Sequence, residues 1–181
     1  MVIADPGAFP ERVAYDLMAQ AEHLSGASAI LLTASEELIR GVEPLLAGDP
    51  AELITLVLVR DAAHAVEVSN LYAPEHVHVI SEDHEAILQD LDAAGSVAIG
   101  DMTPVAATDY AAGPSHALPT FGAAAWASPL GTHDFIARTN YVHYTREALE
   151  RLGPHVERLA RLEGFENHAK SVGVRLGKGS R

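Results

Sequence analysis

The sequence predicts an α/β fold: a parallel sheet of about four or five strands, with helices on both faces and a C-terminal helical tail. Three observations lead to this prediction. Apolar runs such as 53–59 (LITLVLV) are continuous, which is typical of strands that are buried on both faces. These runs alternate along the chain with segments whose apolar residues recur at helical spacing. After Gly100 the alternation gives way to irregular sequence and then to helical sequence. This order indicates a Rossmann-like but incomplete sheet.

Five segments are predicted to form the strands. They share an apolar character with few interruptions and are 2–5, 28–33, 53–59, 75–80 and 96–100. The first of them is the shortest, and we interpret it as an edge strand or a truncated strand.

Four helices are predicted between the strands, each with apolar residues three or four positions apart. They are 10–25, 35–46, 61–72 and 82–95. Pro10 is suited to the first turn of a helix, Ser35 and Asp61 are suited to cap the next two helices, and Gly95 is suited to end the fourth. Pro44 weakens the prediction of the second helix near its end.

A long irregular segment follows the last strand. Residues 101–133 contain four Pro, and four Gly counting the one at position 100. Irregular segments of this length inside a domain are usually functional or disordered, and the Ala and aromatic content here argues against disorder. Residues 146–172 are then predicted to be helical, with a break near Gly153 and Pro154.

The composition excludes several classes of function. The chain has 181 residues, no cysteine, and a net charge of −13 from 25 acidic and 12 basic residues. An acidic surface repels phosphate backbones, so we expect no nucleic-acid partner. The lack of cysteine excludes disulfides, thiolate metal sites and cysteine nucleophiles, and it fits a cytoplasmic protein. No apolar run reaches the roughly 18 residues needed to span a bilayer, so we expect no membrane partner.

Polar side chains in the irregular segment are candidates for a site. Ligands of open α/β sheets bind beyond the carboxyl ends of the strands, and the segment that leaves strand 96–100 carries Asp109 and His116. We therefore expect a site at that edge of the sheet. The alternative is a structural loop in which the Asp caps a helix and the His lies on the surface.

Two other groups could bind a metal. Gln20 and His23 are three residues apart and share a helix face, although a His at a helix C-terminus more often serves the helix dipole. Glu163 and His168 are five apart on a predicted helix, where a solvated face is the simpler interpretation. Zinc-protease, phosphate-loop and dinucleotide-binding motifs are missing from the sequence. The residues alone therefore indicate an α/β domain with a candidate His/Asp/Gln metal site.

Four separated motifs, in order along the chain, resemble those of histidinol dehydrogenase. They are DLMAQAEH, LYAPEHVHV, AAGSVAIGDMTPVAATDYAAGPSHALPTFGAA and LEGFENHAKSV. The resemblance covers nearly the whole chain. It implies an NAD-dependent oxidoreductase of histidine biosynthesis that converts L-histidinol, an imidazole amino alcohol, into L-histidine through an aldehyde.

The resemblance also implies a set of metal ligands. By motif they are Gln20, His23, Asp109 and His168, which would hold a zinc ion. Nitrogen and oxygen ligands suit Zn²⁺ and tolerate Mn²⁺ or Co²⁺. Since zinc has no redox chemistry, its implied role is to hold the imidazole and amino nitrogens of the substrate.

Four further roles follow from the resemblance. His76 is expected to take the proton of the substrate hydroxyl, and Glu75 to activate the water that attacks the aldehyde. His116 and Glu163 match residues that contact the substrate, whereas His78 matches no functional residue. Neighbouring residues in a strand point to opposite faces. His76 and Glu75 can therefore share a site only where the strand has not yet begun.

In this family the C-terminal helical region crosses to the other subunit. We therefore expect an α/β domain at 1–133 that carries most of the site residues, a helical extension at 134–181 that packs on a partner, and a homodimer. The resemblance further implies that the family's NAD-binding domain lies upstream of the part that this chain matches, so we expect NAD as a cofactor only if a nucleotide-binding domain is supplied elsewhere. Two alternatives remain open: a zinc-dependent hydrolase or lyase that reuses the Glu–His pair, and a protein that binds a metal or an imidazole ligand without turnover.

Overall fold

The structure is a computed structural model that describes residues 1–23, 26–46 and 49–177. Its first compact unit is Met1–Ile136 and its second is Ala137–Arg181. The first unit contains a sheet of five parallel strands in the order β3-β2-β1-β4-β5. The strands are β1 Val2–Ala4, β2 Ala29–Thr33, β3 Ile54–Leu58, β4 His76–Ile80 and β5 Ser96–Ile99. The predicted α/β class is therefore confirmed.

The shortest strand lies at the centre of the sheet. Of the two interpretations of 2–5, an edge strand or a truncated strand, the edge strand is therefore wrong. β1 pairs with β2 on one side and with β4 on the other, and its three residues are all buried. Two neighbours supply hydrogen bonds to this strand, and for that reason three residues are enough to hold it in place. A short apolar run cannot reveal this position, because the pairing partners are distant in the sequence.

Helices cover both faces of the sheet. They are α1 Pro10–Ala21, α2 Glu36–Val42, α3 Ala62–Tyr72 and α4 His84–Asp90. Two apolar cores result, one with Leu17 of α1 and Leu38 of α2, the other with Val66 of α3 and Ile87 of α4. The sheet lies between these layers, and its inner strands β1, β2 and β4 are buried, whereas the outer strands β3 and β5 are partly exposed. Burial on both faces explains why β1 and β2 show no alternation of polar and apolar residues.

The ends of the helices agree only in part with the sequence. Ser35 and Asp61 cap α2 and α3 with their side chains, as predicted. The helix predicted at 10–25 ends at Ala21, and positions 24 and 25 lie outside the described residues. Helix α4 ends at Asp90, so Gly95 does not close it. A Cβ at Gly95 would lie 2.6 Å from the carbonyl oxygen of Glu75, so the glycine allows a close backbone approach instead.

A buried polar pair connects three elements of this unit. His78 on β4 is 1% exposed; its Nδ1 lies 2.9 Å from Asp16 Oδ2 on α1, and its Nε2 lies 2.9 Å from the carbonyl oxygen of Gly100. Because a carbonyl oxygen can only accept, the Nε2–H group donates to Gly100, and Nδ1 forms a hydrogen bond with the carboxyl group of Asp16. The imidazole therefore joins α1, β4 and the loop that follows β5.

We expect the replacement His78→Phe to lower the free energy of unfolding by about 3 kcal/mol, because it leaves a largely buried carboxylate without its partner. Urea denaturation would measure the loss. The matched control is His143→Phe on an exposed side chain, for which a change within about 0.5 kcal/mol is expected. Equal stability of the two variants would show that the buried pair contributes nothing.

The segment after β5 is less regular than the rest of the first unit. It contains one short helix, α5 Val105–Tyr110, and single turns at Ala123–Ala125 and Thr132–Phe135. Helix α5 packs against α1. Across the described part of the chain, none of the helices combines the length and apolar character that crossing a membrane requires.

The second unit contains two helices, α6 Arg146–Leu162 and α7 Glu166–Arg175. The break predicted near Gly153 and Pro154 is wrong, because α6 continues through both residues. The helix ends instead before Gly164, which has φ +79°, where the N–H of Phe165 donates to the carbonyl of Ala160 and that of Gly164 to Arg161. This pair of bonds is a Schellman motif, which requires a left-handed residue at the position of the glycine.

Candidate active site

The predicted site residues of the first unit gather at the amino ends of the strands, not at the carboxyl ends. A cavity of ≈ 370 Å³ is lined by residues that come just before three strands: Met1 before β1, Ser28 before β2, and Glu75 before β4. The chain beyond β5 returns along the sheet, since α5 packs on α1. Its Asp109 comes to lie beside His76, the first residue of β4. The expectation of a site at the carboxyl edge was therefore wrong.

Asp109 lies between two histidines. Its Oδ1 atom is 3.2 Å from Nε2 of His76 and 3.3 Å from Nδ1 of His116. The two imidazole rings are 5.8 Å apart between centroids, with a tilt of 31°. The side chain of His76 is 7% exposed, that of Asp109 15% and that of His116 49%. The cluster is thus closed on the side of β4 and open on the side of the irregular segment.

The buried histidine of this cluster lacks conventional hydrogen bonds. Among the described residues, no donor or acceptor is aligned with Nδ1 or Nε2 of His76, although Asp109 lies at ion-pair distance from Nε2. Burial lowers the pKa of His76 below its ordinary value, and the carboxylates of Asp109 and Glu75 oppose the shift without cancelling it. The neutral imidazole is therefore the dominant form at neutral pH.

This shift predicts a pH dependence of stability. As the pH falls below about 6.5, the unfolded chain binds a proton at His76 before the folded chain does. The unfolded state then holds more protons, so the free energy of unfolding falls with the pH in this window. Urea denaturation between about pH 7 and pH 5, with a chelator present, should show the decrease. In His76→Gln that part of the slope should vanish, and an unchanged slope would contradict the assignment.

Glu75 and His76 line the same cavity, together with Gln20 from the last turn of α1. Glu75 comes directly before the first residue of β4, so the strict alternation of a strand does not apply to it. This is the arrangement that the sequence required if an acid and a base next to each other were to share one site.

A second cavity, of ≈ 220 Å³, brings together three of the four predicted metal ligands. Gln20 and His23 line it from the end of α1, and Asp109 lines it from α5. Their amide, imidazole and carboxylate groups are donor types that zinc accepts. Gln20 lines both cavities, and the two sets of predicted residues are therefore neighbours.

Two strained residues in the wall of the larger cavity were not found from the sequence. Ala73 has φ 51° and Phe121 has φ 53°, and they are the non-glycine residues with positive φ within the described ranges. Ala73 ends α3 in the left-handed conformation just before Pro74. Such strain concentrates at functional sites. No sequence signal marks it, because neither Ala nor Phe favours this conformation.

The remaining predicted residues lie in the second unit. Glu163 follows the last residue of α6 and His168 lies in the first turn of α7, so they are on two helices and not on one. Both side chains are exposed, and the ring of His168 lies 5.2 Å from that of Phe165.

Comparisons with known proteins agree on one family. The family model described as histidinol dehydrogenase matches residues 1–176. The chain is 42% identical over 188 residues to a histidinol dehydrogenase of Aquifex aeolicus and 43% identical over 188 residues to one of Methanopyrus kandleri. These matches cover 97% and 96% of this chain, but 44% of each relative.

A solved structure gives the same result. The crystal structure of histidinol dehydrogenase from Elizabethkingia anophelis matches with a TM-score of 0.83 and 32% identity, over 97% of this chain and 43% of that one. The chain therefore spans less than half the length of the proteins it matches.

Proposed function

Because the chain belongs to the histidinol dehydrogenase family of oxidoreductases, we propose that it takes part in the oxidation of L-histidinol to L-histidine. The observation that carries this proposal is the convergence of Glu75, His76, Asp109 and His116, from three separate parts of the sequence, at one edge of the sheet. NAD, when bound, supplies the hydride acceptor for both oxidation steps.

His76 acts as the base toward the substrate hydroxyl. Its burial keeps the pKa low and the ring neutral, so that a nitrogen lone pair is available for the proton. A neutral imidazole that faces a carboxylate can gain a proton and be stabilised as it does so, because Asp109 lies 3.2 Å from Nε2.

Glu75 acts on water in the second step. Its half-buried carboxylate lines the same cavity as His76. A carboxylate in this place can take a proton from the water that adds to the aldehyde, which forms the second carbon–oxygen bond of the product carboxylate. His116, which is half exposed at the open side of the cluster, contacts the substrate in this proposal, together with Glu163 of a second copy of the chain.

The residues present fit a zinc ion. Gln20, His23 and Asp109 line one cavity with suitable donor atoms, and His168 of a second copy of the chain would complete the set. The ion, when bound, offers positive charge to the imidazole and amino nitrogens of the substrate. We further propose that 134–181 packs on a second copy of the chain in a cytoplasmic homodimer, where Glu163 and His168 would serve the partner's site.

Calorimetric titration of the zinc-loaded chain with L-histidinol tests the proposal. We expect saturable binding that is lost when a chelator removes the metal. Titration with NAD serves as the parallel measurement, and we expect no binding of the nucleotide to this chain by itself. Failure to bind histidinol in the zinc-loaded state would contradict the proposed function.

A further inference from the structure

Asp109 also belongs to a second cluster of side chains, which contains His76 and His116 but none of the other proposed zinc ligands. We call it the Oδ1 cluster, because both histidines lie close to the Oδ1 atom of Asp109. We propose that the Oδ1 cluster is a second metal-binding site. It binds a divalent ion such as Zn²⁺ or Co²⁺, and the bound ion blocks the catalytic base.

The distances suit such an ion. Zinc binds nitrogen and oxygen donors at about 2.0–2.2 Å in a tetrahedron, which places neighbouring donor atoms about 3.3 Å apart. In the Oδ1 cluster, Asp109 Oδ1 lies 3.2 Å from Nε2 of His76 and 3.3 Å from Nδ1 of His116. One donor atom from each residue lies within 4.8 Å of the other two. The two distances to Asp109 therefore match the separation that a bound ion would impose, and the two histidine donor atoms lie within 4.8 Å of each other.

The state of the buried histidine is an independent observation. His76 is 7% exposed, and neither of its ring nitrogens has an aligned hydrogen-bond partner among the residues that the structure describes. A buried polar group without a partner is unfavourable unless a ligand completes it. Nε2 is the nitrogen nearest Asp109, so an ion bound to Oδ1 would give that nitrogen its missing partner.

Charge and access favour a cation at the same place. The cluster contributes one carboxylate and two imidazoles, and Glu75 adds a second negative charge that acts on His76. His116 is half exposed, which leaves a route from solvent. Three protein ligands with an open fourth position form the pattern of an exchangeable zinc site and not of a closed structural one.

A filled Oδ1 cluster would oppose the reaction. The metal would occupy the nitrogen lone pair with which His76 accepts the proton, and it would hold His116 away from the substrate. The metal would also bind Asp109, so that this carboxylate could no longer serve as a ligand beside Gln20 and His23. This inhibitory consequence rests on the proposed function, whereas the binding of the ion does not.

The decisive experiment uses Co²⁺ as the probe in a background that lacks the other metal set. In His23→Ala, which removes an exposed ligand of that set, we expect one equivalent of Co²⁺ to produce the strong visible absorption of a tetrahedral site. Adding His116→Ala should weaken the binding at least about 10-fold and remove the band. The control is His23→Ala with His133→Ala, since His133 is also exposed and lies 3.5 Å from an aspartate, Asp134; it should keep the band.

Each outcome is decisive. If the band is missing in His23→Ala, or persists after His116→Ala is added, the proposal of a second metal-binding site is wrong. Neither result affects the proposed function, which is tested by histidinol binding to the wild-type chain. Circular dichroism of each variant checks that it is folded. Loss of the Co²⁺ absorption band only in the variant with His116→Ala supports the second metal-binding site.

Discussion

We expect the replacement Asp109→Asn to weaken binding of Zn²⁺ to this chain by at least about 100-fold, because loss of groups that only orient a ligand already costs about 10–100-fold. Asp109 lies in the cavity that Gln20 and His23 line, and it also lies between His76 and His116. One carboxylate therefore belongs to both sets of donors. The amide keeps the shape of the side chain but loses its charge, and calorimetric titration of metal-free protein would measure the effect.

The matched control for this prediction is Asp90→Asn. Asp90 is exposed at the end of α4 and belongs to neither set of donors. Its variant should bind zinc as the wild-type chain does. If Asp109→Asn kept the wild-type affinity, the metal would have to be held elsewhere, and both the proposed zinc set and the Oδ1 cluster would be wrong.

The second large effect is expected for His76→Gln in the oxidation itself. Loss of a positioned general base slows proton transfer by about 10²–10⁴-fold. Glutamine can occupy the buried position of the imidazole but cannot accept the proton. Histidinol-dependent reduction of NAD, measured with the chain and any subunit that supplies the nucleotide site, should fall by this factor, while histidinol binding stays within about 10-fold.

The comparison between rate and affinity separates a base from a residue that only shapes the cavity. A structural role would change binding and rate together. The control is His84→Gln, a histidine on the same unit at the start of α4, away from the residues that line the larger cavity. Turnover that survived His76→Gln would refute the assignment of the base.

Much of the fold could be predicted from the sequence because its signals are local. Continuous apolar runs, helical spacing and the capping residues Ser35 and Asp61 each depend on a few neighbouring positions. The end of α6 is harder to predict from the sequence. Gly153 and Pro154 look like a break, yet they lie inside α6, and Gly164 carries the left-handed turn. A helix tolerates a proline where packing holds it, and the sequence by itself does not report that packing.

The order of the strands could not be predicted in the same way. A parallel strand takes its hydrogen bonds from segments that are distant in the chain, so the three residues of β1 look like an edge but lie at the centre. The partnership of His78 with Asp16, 62 residues away, is equally invisible to local patterns.

The sequence by itself determined the α/β class, the family and the residue types from which a site could be built, because periodicity and motifs are properties of short segments. Only the tertiary structure decided that these residues meet at the amino ends of the strands. It also decided that Asp109 stands between His76 and His116, with His76 buried and without an aligned partner among the described residues. These facts depend on the path of the chain after β5, which brings α5 into contact with α1.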